Sequence, residues 1–208
     1  TFFGVAFALL TWGGLPLVEA YGVGALFWAH SLYMAVFAVI LARVLQSLPD
    51  TAPTDRFSFL KMLKSHAAIY RSAHIAAPGI GWLFYTFCFV SVLTVMPPYL
   101  ADDHRALVMG AMPLASIVSS MTLGVVMLRS LTAIQVTISG FASSALAMVW
   151  LWASPGDPWA CLTLAATLGL VQGASFAAVP QLNETPETQA QANGAMAQMG
   201  NLGNTLGT

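Results

Sequence analysis

Charge is scarce in this sequence. Asp, Glu, Lys and Arg make up 7% of 208 residues, where a soluble domain carries about 25%. Seven basic and eight acidic side chains cannot coat a water-exposed surface. That shortage excludes a cytosolic enzyme, a secreted disulfide domain, a disordered chain and a nucleic-acid binder with a basic face. Cysteine is nearly absent. Cys88 and Cys161 both lie inside apolar runs, so neither a disulfide framework nor metal-ligand spacing can be read, and both are expected as small buried hydrophobes. A basic segment ahead of the first apolar run is missing, so no signal peptide is expected. Alternating apolar and polar strand patterns are missing too.

The motifs of catalysis are likewise absent: no Gly-x-Ser-x-Gly, no His-Glu-x-x-His and no P-loop. Asp102-Asp103-His104 offers metal-capable groups, but three consecutive residues on a turn do not converge on one ion. A cap for the following helix is the expected role. No catalytic residue, metal or cofactor is therefore expected. No Asp, Glu, Lys or Arg stands mid-run, where a proton relay would place one. His30 and His74 are the titratable residues near the runs, and both read as structural or interfacial.

Apolar residues are abundant: 58% of the chain, with a mean hydropathy of +0.76. A bilayer-crossing helix takes about 20 apolar residues. Seven runs qualify: Phe2–Val18, Val23–Leu45, Ala73–Met96, Ala106–Leu128, Leu131–Ala153, Trp159–Leu182 and Ala190–Thr208. An open sheet cannot satisfy its backbone in lipid, so the runs are expected as helices of an all-α, multi-pass membrane protein. The first run is short and the last is still patterned where the sequence stops, so the chain reads as a fragment of something longer. The breaks between runs carry Gly, Pro, Asn and Asp turn chemistry.

One connection is long, Gln46 to Ser72. It opens with Pro49, Asp50, Pro53 and Asp55. It then interleaves Phe57, Phe59, Leu60, Met62 and Leu63 with Lys61, Lys64 and Arg71. The second part reads as an amphipathic helix at the membrane surface. Arg43, Arg56, Lys61, Lys64, Arg71 and Arg129 fall on one side of the expected topology and Arg105 alone on the other, which makes the linker side cytoplasmic. The amino end is then cytoplasmic, and the carboxyl end heads outward after seven crossings.

Small residues recur at packing spacing, Gly169/Gly173 and Gly203/Gly207. Gly13, Gly14 and Pro16, with Pro78, Gly79, Gly81, Gly110 and Pro113, point to helices that bend or gate. Polar residues inside the runs are more telling. Gln198, Asn201 and Asn204 form one stripe, and Gln172 with Ser175 forms another. Trp82, Tyr85 and Phe89 share a face beside Thr86, and Ser116, Ser119 and Ser120 lie on the fourth run. An amide facing lipid is costly, so a shared wet cavity is expected to collect these groups.

The layout resembles the major facilitator superfamily of secondary transporters, which have twelve helices in two halves joined by a long cytoplasmic connection. With Gln46–Ser72 as that connection, the seven runs correspond to helices five to eleven. The segment Glu19-Ala20-Tyr21-Gly22 through Trp28 resembles the family's turn between helices five and six. Gly4, Gly13, Gly14 and Pro16 are similar to the glycine-proline motif of drug–proton exchangers. Arg129 stands where the basic turn between helices eight and nine falls, and Ala192–Gly207 is similar to helix eleven of prokaryotic members.

The resemblance implies a partial bundle: 1–45 as the end of the first half, 46–72 as the linker and 73–208 as the second half. It implies partners in the bilayer, in further amino-terminal helices of the same chain and in a small-molecule substrate, with no nucleic acid. It favours Tyr85, Thr86, Gln172, Gln198, Asn201 and Asn204 as the substrate pathway, and disfavours His30, Gln135, Ser143 and Ser144. The implied function is alternating-access transport of a small solute, with export of drug-like or amphipathic compounds, in a bacterial inner membrane. A seven-helix receptor and a membrane-embedded enzyme are the rival readings.

Overall fold

The computed structural model describes residues 2–46 and 58–208. The first part of the expected linker, Pro49 to Phe57 with Arg56, lies outside them. Among the described residues all regular structure is helical. The elements are α1 (Phe2–Leu9), α2 (Leu15–Tyr21), α3 (Val23–Gln46), α4 (Phe59–Arg71), α5 (Ala73–Val95), α6 (Asp102–Ser119), α7 (Val125–Leu128), α8 (Ala133–Ala153), α9 (Pro158–Leu182) and α10 (Pro186–Gly207). A π-helical turn, Leu10–Gly14, joins α1 to α2, and another, Ser120–Gly124, joins α6 to α7. Each pair thus forms one long rod. Pro16 has no N–H for the Trp12 carbonyl, and the widened turn takes up the mismatch just before it.

Six of these rods are long and apolar enough to cross a membrane: Gly4–Tyr21, Val23–Gln46, Ala73–Val95, Asp102–Leu128, Ala133–Ala153 and Pro158–Leu182. Their number, length and composition fit a multi-pass, all-helical membrane protein. The seventh expected run is also a helix, α10, but its Gln, Asn, Gly and Thr content keeps it out of this apolar set.

Local chemistry sets the helix ends. Thr132 and Gln135 form a capping box at α8, Thr132 Oγ1 accepting from the Gln135 N–H at 3.3 Å and Gln135 Oε1 accepting from the Thr132 N–H at 2.9 Å. Asp157 caps α9 by accepting from the Trp159 N–H at 2.9 Å, with Pro158 pre-set as the first helical residue. Thr185 and Pro186 open α10 in the same way. The cap expected from Asp102-Asp103-His104 does not form: Ala101 holds that position without a side-chain bond, and the two acids lie in the first turn of α6, where the helix dipole favours them. Arg105 instead ties the turn together, its Nε donating to the Pro97 carbonyl at 2.8 Å and its guanidinium pairing with Asp102. Gly22 and Gly156 adopt φ of 76° and 81°, which closes the α2–α3 and α8–α9 turns.

α9 is the central element, with 61% of its apolar window buried, whereas α3 has none buried. The main core joins Phe89 and Leu93 of α5, Met109 and Met112 of α6, Leu151 of α8, and Leu164 and Leu168 of α9. Glycine makes the closest approaches. Gly169 and Gly173 of α9 lie against the backbone and side chains of Ser116 and Ser120, and Gly140 of α8 against Val171. Trp12 donates to the Ala106 carbonyl of α6 at 3.1 Å, its indole lying over Gly110.

These contacts fix helix directions. Residue numbers rise together along α5/α10 (Gly79 to Ala195, Phe87 to Gly207) and along α6/α9 (Ser116 to Gly169, Ser120 to Gly173). They run oppositely along α8/α9 (Ala133 to Gln181, Ser144 to Thr167) and α1/α6 (Gly4 to Ile117, Trp12 to Ala106). That is the pattern of rods crossing one after another.

Pro78, inside α5, leaves the His74 carbonyl without its helical donor. Asn183, 3% exposed at the end of α9, donates its Nδ2–H to that carbonyl at 3.2 Å and to the Val179 carbonyl at 3.0 Å. Asn183→Leu is expected to cost about 1–3 kcal/mol, the penalty of a buried polar group left unpaired. The thermal midpoint in detergent should fall for this variant and stay put for Asn193→Leu at an exposed site. Equal midpoints would show that the carbonyl has another partner.

Candidate functional site

A cavity of about 300 Å³ opens between helices on both sides of the linker. α5 contributes Trp82, Tyr85, Thr86 and Phe89, and α6 contributes Pro113 and Ile117. Val90 of α5, Gln172 of α9, Ala197, Gly200, Asn201 and Asn204 of α10, and Gly4 of α1 complete the described wall. Five of the six pathway residues named from the sequence, Tyr85, Thr86, Gln172, Asn201 and Asn204, therefore meet at one place.

One flank is aromatic. Trp82 stacks on Tyr85 with ring centres 4.8 Å apart, Tyr85 on Phe89 at 5.6 Å, and Phe176 meets Trp82 edge-on at 4.9 Å. These rings follow one another because residues three and four apart share a helix face. The floor is a buried polar chain. Ser116 Oγ, 1% exposed, donates to Gln172 Oε1 at 3.1 Å and lies 3.4 Å from the Tyr85 hydroxyl. It joins α5, α6 and α9 and holds the Gln172 amide in place. Thr86 turns its hydroxyl back to the Trp82 and Leu83 carbonyls at 3.0 and 3.1 Å. The adjoining α10 flank differs: among the described residues, the exposed side-chain amides of Asn201 and Asn204 have no hydrogen-bond partner. The described lining contains no Asp, Glu, Lys or Arg.

Gln198 does not join them. Its Oε1 accepts from the Tyr70 hydroxyl at 2.8 Å, and its Nε2 lies 2.7 Å from His66 Nε2. Both partners sit on α4. Gln198 lies one turn nearer the linker end than Asn201, and there the amphipathic helix, not the cavity, is its neighbour. Partial burial raises the Tyr70 phenol above its ordinary pKa. Extended Ser72, at φ −88° and ψ 112°, separates α4 from α5, so α4 is not an extension of the next span. Phe59, Leu60 and Leu63 of α4 remain exposed.

Ser175 also leaves the set. Three residues along a helix is a rotation of about 60° from Gln172, enough to turn its hydroxyl toward Gly81 of α5. Gln135 is committed to its capping box, Ser143 and Ser144 to backbone carbonyls of α8, and His30 lies beside Tyr33. None of these lines the cavity. Asn183 was missed as a structural residue because its role depends on a proline in a different helix. Pro78, four residues after His74, was the available signal.

Of the glycines, Gly200 lies under the Trp82 indole, Gly203 against Thr86 and the Leu83 carbonyl, and Gly207 against the Phe87 carbonyl. Gly169 and Gly173 fix α9 on α6. Gly14 touches Leu10 and Leu26, while nothing lies within 4 Å of where a Gly13 side chain would begin. Among the described residues no group of three or more His, Cys, Asp or Glu could hold a metal ion.

No family model, no curated protein and no solved structure matches the chain.

Gly203→Ala and Gly13→Ala separate packing from helix propensity. Alanine is favoured over glycine by about 1 kcal/mol in a helix interior, so Gly13→Ala should be neutral or stabilising. Gly203→Ala should destabilise by about 1–3 kcal/mol through overpacking. Thermal unfolding of the two variants in detergent reads the difference, and a Gly203 variant as stable as the Gly13 variant would contradict the close α5/α10 contact.

Proposed function

We propose that the chain is part of a secondary transporter of the major facilitator type, moving a small solute by alternating access. One observation carries the reading: the cavity is built jointly by a helix before the linker and four helices after it, and two amides on its wall are left without protein partners. Both residues are exposed and line the open cavity. A binding cavity keeps them for a ligand. The aromatic flank and uncharged lining suit an amphipathic or drug-like solute, and this supports export as the direction. Small residues along α9 and α10, with the two π-helical turns, supply rods that pack closely and bend at defined points.

In this reading α10 is a seventh crossing. It runs parallel to α5 from Gly79 to Phe87 and beyond, with Asn201 and Asn204 on the cavity and Gln198 on α4. The apolar, unburied α3 is where the further amino-terminal helices would pack. The basic linker faces the cytoplasm of a bacterial inner membrane.

Two experiments test the reading. A cysteine replacing Lys64 should react with a membrane-impermeant maleimide only from the cytoplasmic face, and one replacing Thr208 only from the outer face. Labelling of both from one face would remove the seventh crossing. In cells making the full-length protein, Asn201→Leu should slow ethidium efflux about tenfold. That is the equivalent of one hydrogen bond of about 1.4 kcal/mol. Membrane level and thermal midpoint should be unchanged. Unimpaired efflux by this variant would take Asn201 and its wall out of the pathway.

A further inference from the structure

A second cavity, of about 200 Å³, lies between α5, α8 and α9. Its walls are apolar: Ala77 and Pro78 of α5, Ile134 and Ile138 of α8, Ala178 and Leu182 of α9. Gly81 makes the room. A side chain there would begin 3.2 Å from Ser175 Oγ and 3.8 Å from Thr137 Cγ2. The Ser175 hydroxyl, on a residue 2% exposed, lines this space and is the only buried side-chain polar atom without a hydrogen-bond partner among the described residues.

An orphaned hydroxyl in a dry interior is costly, and serine in a helix normally bonds back to its own backbone. A water molecule does not settle it easily. Buried water needs two to four polar partners, and beyond Ser175 the lining offers one further side-chain hydroxyl, Thr137. The space is larger than the apolar cavity of about 150 Å³ that holds benzene in an unrelated protein.

The position is equally specific. Ala77 and Gly81 lie about 6 and 12 Å from the start of α5, and Ser175 about 10 Å from the end of α9, at 1.5 Å per residue. All three are on the linker side of a hydrocarbon layer about 30 Å thick. Ile134 and Ile138, 47% and 63% exposed, form an open apolar rim.

We infer that this crevice is a binding site for a small uncharged amphiphile dissolved in the membrane: an apolar ring or short chain with one hydroxyl or carbonyl, which pairs with Ser175. It is separate from the large cavity. Ser175 lies one turn from Gln172 on α9, and Gly81 one turn from Tyr85 on α5, so an occupant would wedge two of the three helices that form the polar floor described above. The inference depends on the spans crossing a bilayer and not on the transport reading.

The probe is p-cresol, compared with p-xylene, which has the same shape without the hydroxyl. In the purified full-length protein, p-cresol at a few times its Kd should raise the thermal midpoint by about 2–4 °C, and p-xylene by less. Ser175→Ala should erase the difference between the two. Ala77→Leu should fill the crevice and erase both shifts. Should Ala77→Leu fail to fold, the Ser175→Ala comparison decides alone. No shift with either compound, or an undiminished preference for p-cresol in Ser175→Ala, overturns the site. So does an ordered water on Ser175 that p-cresol fails to displace.

Discussion

A polar group among oily helices has no water to fall back on, and the whole arrangement follows from how each one is paired. Where pairing is complete, it holds helices together. The Asn183 amide takes the carbonyl that Pro78 frees and so fastens α9 to α5. Ser116 bridges Gln172 and Tyr85. Ser144 donates to Thr167 at 3.0 Å between α8 and α9. Each bond falls between two rods, where hydrophobic attraction gives little preference for one neighbour over another in lipid. The buried Ser175 hydroxyl, which lacks a partner, lines one cavity, and the exposed amides of Asn201 and Asn204 line the other. The unpaired groups therefore mark the two places where the protein has room for something else.

Close approach is the second requirement. Short polar side chains reach across only if the backbones come near. Gly169 and Gly173 bring α9 onto Ser116 and Ser120, which puts Gln172 within 3.1 Å of Ser116. The same device on α10 sets Gly200 beneath the Trp82 indole, so Asn201 arrives beside the aromatic flank of α5. Packing and site are in this sense one feature: the residues without side chains decide where the residues with polar side chains end up.

Much of this was legible in the sequence, for identifiable reasons. Length and hydropathy alone place six spans, because a helix long enough to cross a bilayer cannot hide its composition. That Asn201, Asn204, Tyr85, Thr86 and Gln172 would share one cavity wall was also legible, since an amide in an apolar run is conspicuous. The outer limits of elements were less legible. α6 begins at Asp102 because two acids suit a helix start, and Ala101 takes the cap position without a side-chain bond. The hardest part was the neighbour each position meets: a rotation of about 60° turns Ser175 from Gln172 toward Gly81, and one turn along α10 brings Gln198 to α4 while Asn201 reaches the cavity. A linear pattern records that residues share a broad face. It does not record which neighbour stands opposite each of them. Gly13, read as a point of bending, lies in the π-helical turn Leu10–Gly14, with nothing within 4 Å of where its side chain would begin.

The contact between α5 and α10 also bears on motion. Gly79 lies against the Ala195 backbone, Gly203 against the Leu83 carbonyl and Gly207 against the Phe87 carbonyl. With backbone seated on backbone at three levels, neither rod can twist about its own axis without collision. In any motion the pair would then travel as one plank that carries the aromatic ladder and both asparagines at fixed spacing. Any change in the width of the large cavity then has to come from displacement of α1, α6 or α9 against that plank, and the π-helical turns in the α1–α2 and α6–α7 rods are the places where such displacement meets least resistance.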